Sequence, residues 1–184
     1  MHDAENVYSS EGSAAAARNP DGSYSETDKF GNTRRYNSSH LLHRDGGLPA
    51  VEYADGTKSY YINGQLHRDG GLPAIEDADG TKEYWVNGLR HRDGGLPAVE
   101  WADGTKEYYV NGQRHRDGGL PAIEYADGYK EYYINGQRHN VYGPAYAKPS
   151  GYCEYWLRGR QVSKAEWNKD PEVIEAKKQR EEQA

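Results

Sequence analysis

The chain has 184 residues, enough for one domain or a short repeat array, and its formal net charge of −6 is spread along its length. No basic patch stands out, which argues against nucleic-acid binding, and no run of about 18 apolar residues predicts a membrane span. One cysteine excludes a disulfide framework, while 17 Tyr and 4 Trp favour a thin structure whose large side chains each keep one polar atom in water.

The N-terminal segment, residues 1–28, is rich in Ala, Ser, Gly, Asn and Asp and shows no periodicity. It is predicted to form a flexible or loosely packed head. Residues 1–10 lack the apolar core of a signal peptide, so a cytoplasmic protein is expected. Residues 29–44 look like a degenerate first repeat unit with its turn at Gly31 and Asn32, because terminal repeats cap a stack and are atypical.

Residues 29–162 are predicted to form a tandem array of about five units with a period of 24 residues. The units that begin at His91 and His115 read HRDGGLPAVEWADGTKEYYVNGQR and HRDGGLPAIEYADGYKEYYINGQR. Asp-Gly and Asn-Gly are strong hairpin signals because these residues tolerate positive φ, and Gly-Gly marks a third bend. Two segments, 98–101 and 106–110, are rich in aromatic and β-branched residues and are predicted to be strands.

The predicted fold class is an all-β repeat, an elongated single twisted antiparallel sheet of stacked β-hairpins. A two-residue Asp-Gly loop would set Glu100 opposite Glu107, whereas a three-residue Ala-Asp-Gly loop with a bulge sets Glu100 opposite Lys106. The second register is predicted because opposite charges then face each other across the strands. At the Asn-Gly turn a two-residue loop pairs Tyr109 with Arg114, where a cation–π contact is expected.

The C-terminal segment, residues 163–184, is predicted to be a short helical tail. Ser163 and Glu166 form a capping-box pattern that starts one helix. Asp170 and Pro171 provide the cap and first-turn residues of a second. We expect this tail to cover the last strand, because an exposed sheet edge invites aggregation.

The order of aromatic residues, Asn-Gly and Asp-Gly in these units resembles the MORN-repeat class and its bacterial variants. It is more similar to a group of tandem-repeat proteins of tailed bacteriophages and large DNA viruses, with a unit like His-Arg-x-Gly-Pro-Ala followed by Asp-Gly-x-x-x-Tyr/Trp-Tyr-x-Asn-Gly. The resemblance covers residues 29–162. This chain departs from the common form by an added leucine in GGLPA, at Leu48, Leu72, Leu96 and Leu120.

The resemblance implies a scaffold or binding surface rather than an enzyme. The expected function is that of a non-enzymatic, phage-encoded repeat protein in the host cytoplasm, which binds and inhibits a host protein such as a bacterial defence enzyme. Two alternatives remain open, a glycan- or cell-wall-binding module and a virion structural or assembly scaffold. Homodimerisation through a sheet edge or face is also open.

A binding surface is expected along the array. Adjacent residues of a strand face opposite sides of a sheet, so both faces carry an aromatic column. One column, with the arginines beside it, is expected to be exposed and to contact a protein partner, unless the aromatic residues only hold the sheet together. Trp167 is the candidate contact outside the repeats, unless it packs on the last strand. The predicted binding residues are Tyr61, Trp85, Tyr109, Tyr133, Arg90, Arg114, Arg138 and Trp167.

No catalytic residue, metal ligand or cofactor is predicted. Equivalent histidines of neighbouring units would lie roughly 10–14 Å apart, too far to share a zinc ion. They are expected to pair with the tyrosine across the turn or with a neighbouring aspartate. Cys153 has no evident catalytic partner and is expected to be a small packing residue.

Overall fold

The structure, a computed structural model, describes residues 18–183. They form one long, open antiparallel sheet of 13 strands, four separate two-stranded ribbons, and two helices at the C-terminal end. The predicted all-β repeat fold with a short helical tail is therefore confirmed. Most of the predicted head, residues 1–17, lies outside the described residues.

The strands are short, most of them only two residues long, because a turn follows every few residues. In chain order they are Tyr24–Thr27 (β1), Thr33–Tyr36 (β2), Val51–Glu52 (β3), Lys58–Ser59 (β4), Tyr61–Ile62 (β5), Gln65–Leu66 (β6), Ile75–Glu76 (β7), Lys82–Glu83 (β8), Trp85–Val86 (β9), Leu89–Arg90 (β10), Val99–Glu100 (β11), Lys106–Glu107 (β12), Tyr109–Val110 (β13), Gln113–Arg114 (β14), Ile123–Glu124 (β15), Lys130–Glu131 (β16), Tyr133–Ile134 (β17), Gln137–Arg138 (β18), Tyr146–Ala147 (β19), Cys153–Leu157 (β20) and Arg160–Val162 (β21).

The main sheet takes two strands from each internal unit, in the order β1-β2-β3-β4-β7-β8-β11-β12-β15-β16-β19-β20-β21. The remaining strands form the ribbons β5-β6, β9-β10, β13-β14 and β17-β18. One backbone hydrogen bond joins each ribbon to the next, as from the N–H of Gly112 to the carbonyl of Arg90 at 2.9 Å. The array is thus a main sheet with a row of stacked ribbons beside it.

The strand predicted at residues 106–110 is interrupted at Tyr108, and the prediction of one continuous strand there is wrong. The N–H of Tyr108 donates to the carbonyl of Ala122 at 2.8 Å, and its carbonyl accepts from the N–H of His115 at 3.0 Å. Both of its peptide groups are therefore bonded to the next unit. The chain leaves the main sheet at this residue and enters the ribbon.

The predicted registers are confirmed. Glu100 pairs with Lys106, and the next strand places Glu124 on the other side of Lys106, so this lysine lies between two carboxylates. In the ribbon, Tyr109 pairs with Arg114. The three-residue loop occurs because the Asp-Gly turn needs one more residue to bring opposite charges together.

The core is thin, as the composition predicted. Its centre is the alanine of each GGLPA or YGPA segment, which is fully buried. These alanines are Ala50, Ala74, Ala98, Ala122 and Ala145. Val99 is also fully buried, and it clusters with Ala98 and Tyr109. Such a core depends on neighbouring units, so the stability of the array is a sum over units and interfaces.

The first hairpin extends the array into the predicted head. Strand β1 begins at Tyr24 and pairs with β2, so the expected boundary at residue 28 falls inside this hairpin. The predicted turn at Gly31 and Asn32 is confirmed, since the N–H of Gly31 donates to the carbonyl of Asp28 at 3.0 Å.

The predicted helix starts are confirmed in the tail. Helix α1 spans Lys164–Trp167, with Ser163 and Glu166 bonded reciprocally in a capping box. Helix α2 spans Pro171–Glu182, and the Asp170 side chain accepts a hydrogen bond from the N–H of Glu172. None of the helices within residues 18–183 is sufficiently long and apolar to cross a membrane.

The tail packs on the last hairpin of the sheet. Val173 of α2 is fully buried and clusters with Leu157, Val162 and Trp167. The indole N–H of Trp167 donates to the backbone carbonyl of Asn140 at 2.8 Å. The tail therefore forms a C-terminal cap on the array, as the sequence predicted.

Candidate binding surfaces

The ribbons bring seven of the predicted binding residues together in one column, here called the ribbon column: Tyr61, Trp85, Arg90, Tyr109, Arg114, Tyr133 and Arg138. Each arginine lies between two aromatic rings of successive units. The guanidinium carbon of Arg114, for example, is 5.8 Å from the ring centroid of Tyr109 and 5.7 Å from that of Tyr133. The predicted cation–π contact exists, and it links units as well as strands.

A buried glutamate lies beneath the ribbon column in most units. Glu107 accepts hydrogen bonds from the indole of Trp101 at 2.9 Å and the hydroxyl of Tyr109 at 2.8 Å, and it forms an ion pair with Arg114 at 3.1 Å. Burial by itself would raise the pKa of the equivalent Glu131, but hydrogen bonds from its tyrosine and arginine neighbours outweigh burial and lower this pKa. The Glu131 carboxylate is therefore charged at neutral pH.

The unit that begins at His43 lacks this ion pair. Ser59 stands where later units have the buried glutamate, and Leu66 stands where they have the arginine. Both charged residues are absent together in this unit, so neither charge is left there without the other. The last unit has Glu154 with Gln161 at the arginine position, and Arg138 of the preceding unit lies 3.8 Å from Glu154. The ribbon column thus has a structural role, and its role in binding stays a prediction.

A second arginine cluster fixes the base of each GGLPA loop. The guanidinium of Arg92 lies 3.6 Å from the ring centroid of Tyr84. It donates to the carbonyl of Pro97 at 3.2 Å and to Glu100 at 3.1 Å, and Glu100 also accepts from the hydroxyl of Tyr84 at 3.1 Å. The same set recurs with Arg68 and with Arg116. Three of the four loops therefore rest on the same side-chain network, and in the first loop Arg44 donates to the carbonyl of Pro49 at 3.2 Å.

The loops above these clusters expose a leucine and an aspartate in each unit. Gly94 and Gly95 both have positive φ, at 74° and 68°, a conformation that favours glycine, and Leu96 follows them. The four leucines, Leu48, Leu72, Leu96 and Leu120, are 49–51% exposed. The side chains of Asp45, Asp69, Asp93 and Asp117 are more than 90% exposed. These eight residues are here called the leucine face.

The histidine side chains bond to groups of their own unit. The backbone N–H of Asn111 donates to Nδ1 of His91 at 3.1 Å, so Nδ1 is unprotonated, and Nε2 is 3.0 Å from Asp93. The expected pairing with a neighbouring aspartate is therefore present. Within residues 18–183 no cluster of three His, Cys, Asp or Glu side chains has the geometry to hold a metal ion.

Grooves separate the loops of the leucine face. The groove between Leu72 and Leu96 has a volume of about 460 Å³, and the one between Leu96 and Leu120 about 500 Å³. The corresponding groove between Leu120 and Tyr142 has only about 250 Å³. Its walls differ because the last unit has a shorter loop, with NVYGPA in place of RDGGLPA.

Comparison with known proteins adds no family to this description. No model of a known protein family matches the chain, and no curated protein matches it. The binding surfaces therefore have to be judged on their own geometry.

Two residues singled out in the sequence lie in unexpected environments. Trp167 is buried under the C-terminal cap, with its ring centroid 5.1 Å from that of Tyr155. A contact with a partner would require the cap to open. Cys153, expected to be a packing residue, is exposed, because its strand position corresponds to the exposed lysine of the other units, Lys130 for example.

The leucine face was missed as a candidate surface, although the sequence held a signal for it. This signal is the added leucine, which recurs at the same position in four glycine-containing loops. Its meaning depends on exposure, which a loop sequence does not reveal, since apolar residues in loops often turn inward.

The attachment of the C-terminal cap is expected to weaken below about pH 6.5. Burial lowers the pKa of His139 against the opposing effect of Glu172, and Nδ1 of His139 accepts from the N–H of Arg158 at 3.1 Å. The unfolded chain therefore binds this proton more readily than the native one. The stability that neutral His139 contributes is fully present above the ordinary histidine pKa. It is lost as the pH falls from that value to the lowered pKa of His139 in the folded chain.

This pH dependence can be measured as the difference between the wild type and His139→Gln in thermal unfolding from about pH 7.5 to about pH 5. The difference cancels the titration of the other histidines. A wild type that loses no more stability than the variant would contradict the expectation.

Proposed function

We propose that this chain is a non-enzymatic protein-binding repeat protein whose partner docks on the leucine face. The observation that carries the proposal is the row of four leucines, each half exposed at the same position of a loop with a fixed base. The last unit lacks this leucine, yet its strand β19 pairs in the main sheet like its equivalents. Exposed apolar side chains on rigid supports are typical of protein-binding surfaces.

The ribbon column is a weaker candidate because its polar groups are already paired within the chain. Tyr61, Trp85 and Tyr133 of this column are partly buried. Tyr109 is only 8% exposed, and its hydroxyl bonds to Glu107. A ring with so little free surface also gives little support to the glycan-binding alternative, which needs an open aromatic face for stacking. The leucines, in contrast, offer apolar surface to a partner.

The resemblance to bacteriophage repeat proteins adds the expectation that the partner is a host protein, such as a bacterial defence enzyme. The exposed aspartates beside the leucines favour a partner with basic residues around an apolar centre. Such an arrangement gives association rate and orientation from charge and affinity from the buried apolar contacts.

The proposal is tested by capture from a bacterial host lysate with three baits of matched stability. These are the wild type, the triple variant Leu72→Asp, Leu96→Asp and Leu120→Asp, and the control Ile174→Asp, which alters an equally exposed apolar residue on helix α2. We expect one stoichiometric protein with the wild type and the control. The triple variant should lose it, because each buried anchor is worth more than about 1 kcal/mol.

Undiminished capture by the triple variant would show that the leucine face is not the binding surface. Enrichment of cell-wall fragments in place of a protein would move the assignment to the glycan-binding alternative.

A further inference from the structure

The last groove of the leucine face shows what kind of group these grooves accept. The ring of Tyr142 lies so close to Gly119 that a Cβ atom on this glycine would be 2.4 Å from the ring. At the equivalent glycines of the other three loops, Gly47, Gly71 and Gly95, no described atom lies within 4 Å of that position. The smaller volume of the last groove is therefore explained by an aromatic side chain of the chain itself.

We propose that the open grooves of the leucine face each bind an aromatic side chain of the partner, carried at every third residue of a proline-rich segment in the polyproline II conformation. This inference rests on the proposed function, since it names what docks on the leucine face. In each open groove the ring would lie on the second glycine of the loop, as Tyr142 lies on Gly119, with a leucine at either side.

The distance between neighbouring grooves indicates which backbone conformation of the partner would fit them. Each unit adds two strands to the main sheet, so neighbouring grooves are about 9.4–9.8 Å apart. A polyproline II helix advances about 9.3 Å in three residues and returns to the same face. In an extended β-strand, residues on one face are about 6.6–6.8 Å or twice that distance apart. Two turns of an α-helix advance about 10.8 Å.

The charges of the leucine face favour a partner segment with basic residues beside its aromatic ones. Asp69, Asp93 and Asp117 line the two grooves on either side of Leu96, and their carboxylates are almost fully exposed. The arginines at the same loops are paired with glutamates of their own units, as Arg92 is with Glu100. The charge that faces a ligand is therefore negative, and lysine or arginine between the aromatic residues would complement it.

The test uses two fluorescently labelled synthetic peptides of equal composition and the full-length protein. One consists of three Tyr-Pro-Lys triplets; the other has its tyrosines at every second position. We expect the triplet peptide to bind about tenfold more tightly, the effect of one aromatic contact. Leu96→Asp, which lies between two of the open grooves, should abolish this preference, and Ile174→Asp should keep it.

A gain-of-function variant makes the test independent of damage to the fold. Tyr142→Ala empties the last groove, so the fourth tyrosine of a peptide of four Tyr-Pro-Lys triplets gains a site and the affinity of that peptide should rise about tenfold. Thermal unfolding of the variant checks that the array remains intact.

Equal affinity for the two peptides, no binding of either, or no gain with Tyr142→Ala would overturn the inference. If the lysate partner is nevertheless lost with the triple leucine variant, the proposed function stands and only the nature of its ligand is wrong. If the triple variant keeps that partner, the proposed function itself fails.

Discussion

Trp167→Ala is expected to detach the C-terminal cap, at a cost of about 3–5 kcal/mol in the stability of this end of the array. The variant removes the largest buried side chain of the cap together with its hydrogen bond to Asn140. Because repeat arrays unfold locally as well as globally, the loss should be concentrated in α1, α2 and the last hairpin. Hydrogen exchange resolved by peptide measures this directly.

The control for the cap is Ile174→Ala, on the exposed side of α2, which should change stability by less than about 0.5 kcal/mol. Protection of the last hairpin that survives Trp167→Ala would contradict the assignment of the tail as a cap. A cap that detaches would also leave the last strand exposed, so the variant is expected to associate more readily at high concentration.

Glu107→Ser is expected to destabilise the array by about 2–3 kcal/mol, less than the 3–5 kcal/mol of a fully buried pair because Arg114 is 40% exposed. The substitution leaves Trp101, Tyr109 and Arg114 without their common acceptor. Chemical denaturation of the full chain measures the change, and the same experiment on Glu131→Ser provides a second instance.

The unit that begins at His43 supplies the matched control for this substitution. The double variant Glu107→Ser with Arg114→Leu recreates the pair Ser59 and Leu66 inside an internal unit. It should recover most of the stability lost in the single variant, because no uncompensated guanidinium remains. Additive losses from the two substitutions would show that the pair is not coupled.

Local features of this fold could be predicted from the sequence because their causes lie within a few residues. The Asp-Gly and Asn-Gly turns depend on residues that adopt positive φ, as Asn111 and Gly112 do. The register of Glu100 with Lys106 follows from charge across one hairpin. The caps at Ser163 and Asp170 are built from side chains two or three residues from the groups they bind.

Features that depend on the next unit could not be predicted in this way. The break at Tyr108 exists because its two peptide groups bond to Ala122 and His115 of the following unit. The burial of Glu107 depends on where the ribbon lies relative to the main sheet. Periodicity shows that units repeat, but it contains no information on the angle at which the chain leaves one sheet for another.

The candidate site was predicted in part for the same reason. Alternation along a strand placed two aromatic columns on different sides, and the structure assembles one of them into the ribbon column. The alternation pattern could not show that buried glutamates would bond to the tyrosine hydroxyls and guanidinium groups of this column. The exposed leucines were recognisable as unusual, yet only their half-exposed position above the Arg92 cluster identifies them as a surface.

The most direct test of the proposed function is site-specific photo-crosslinking from three single positions of the array. A photoreactive phenylalanine derivative replaces Leu96 on the leucine face, Gln113 on the ribbons or Ile174 on the cap, and each protein is irradiated with the captured partner. We expect a crosslink from position 96 and none from positions 113 and 174. Crosslinks from position 113 without any from position 96 would contradict this expectation and place the partner on the ribbon column.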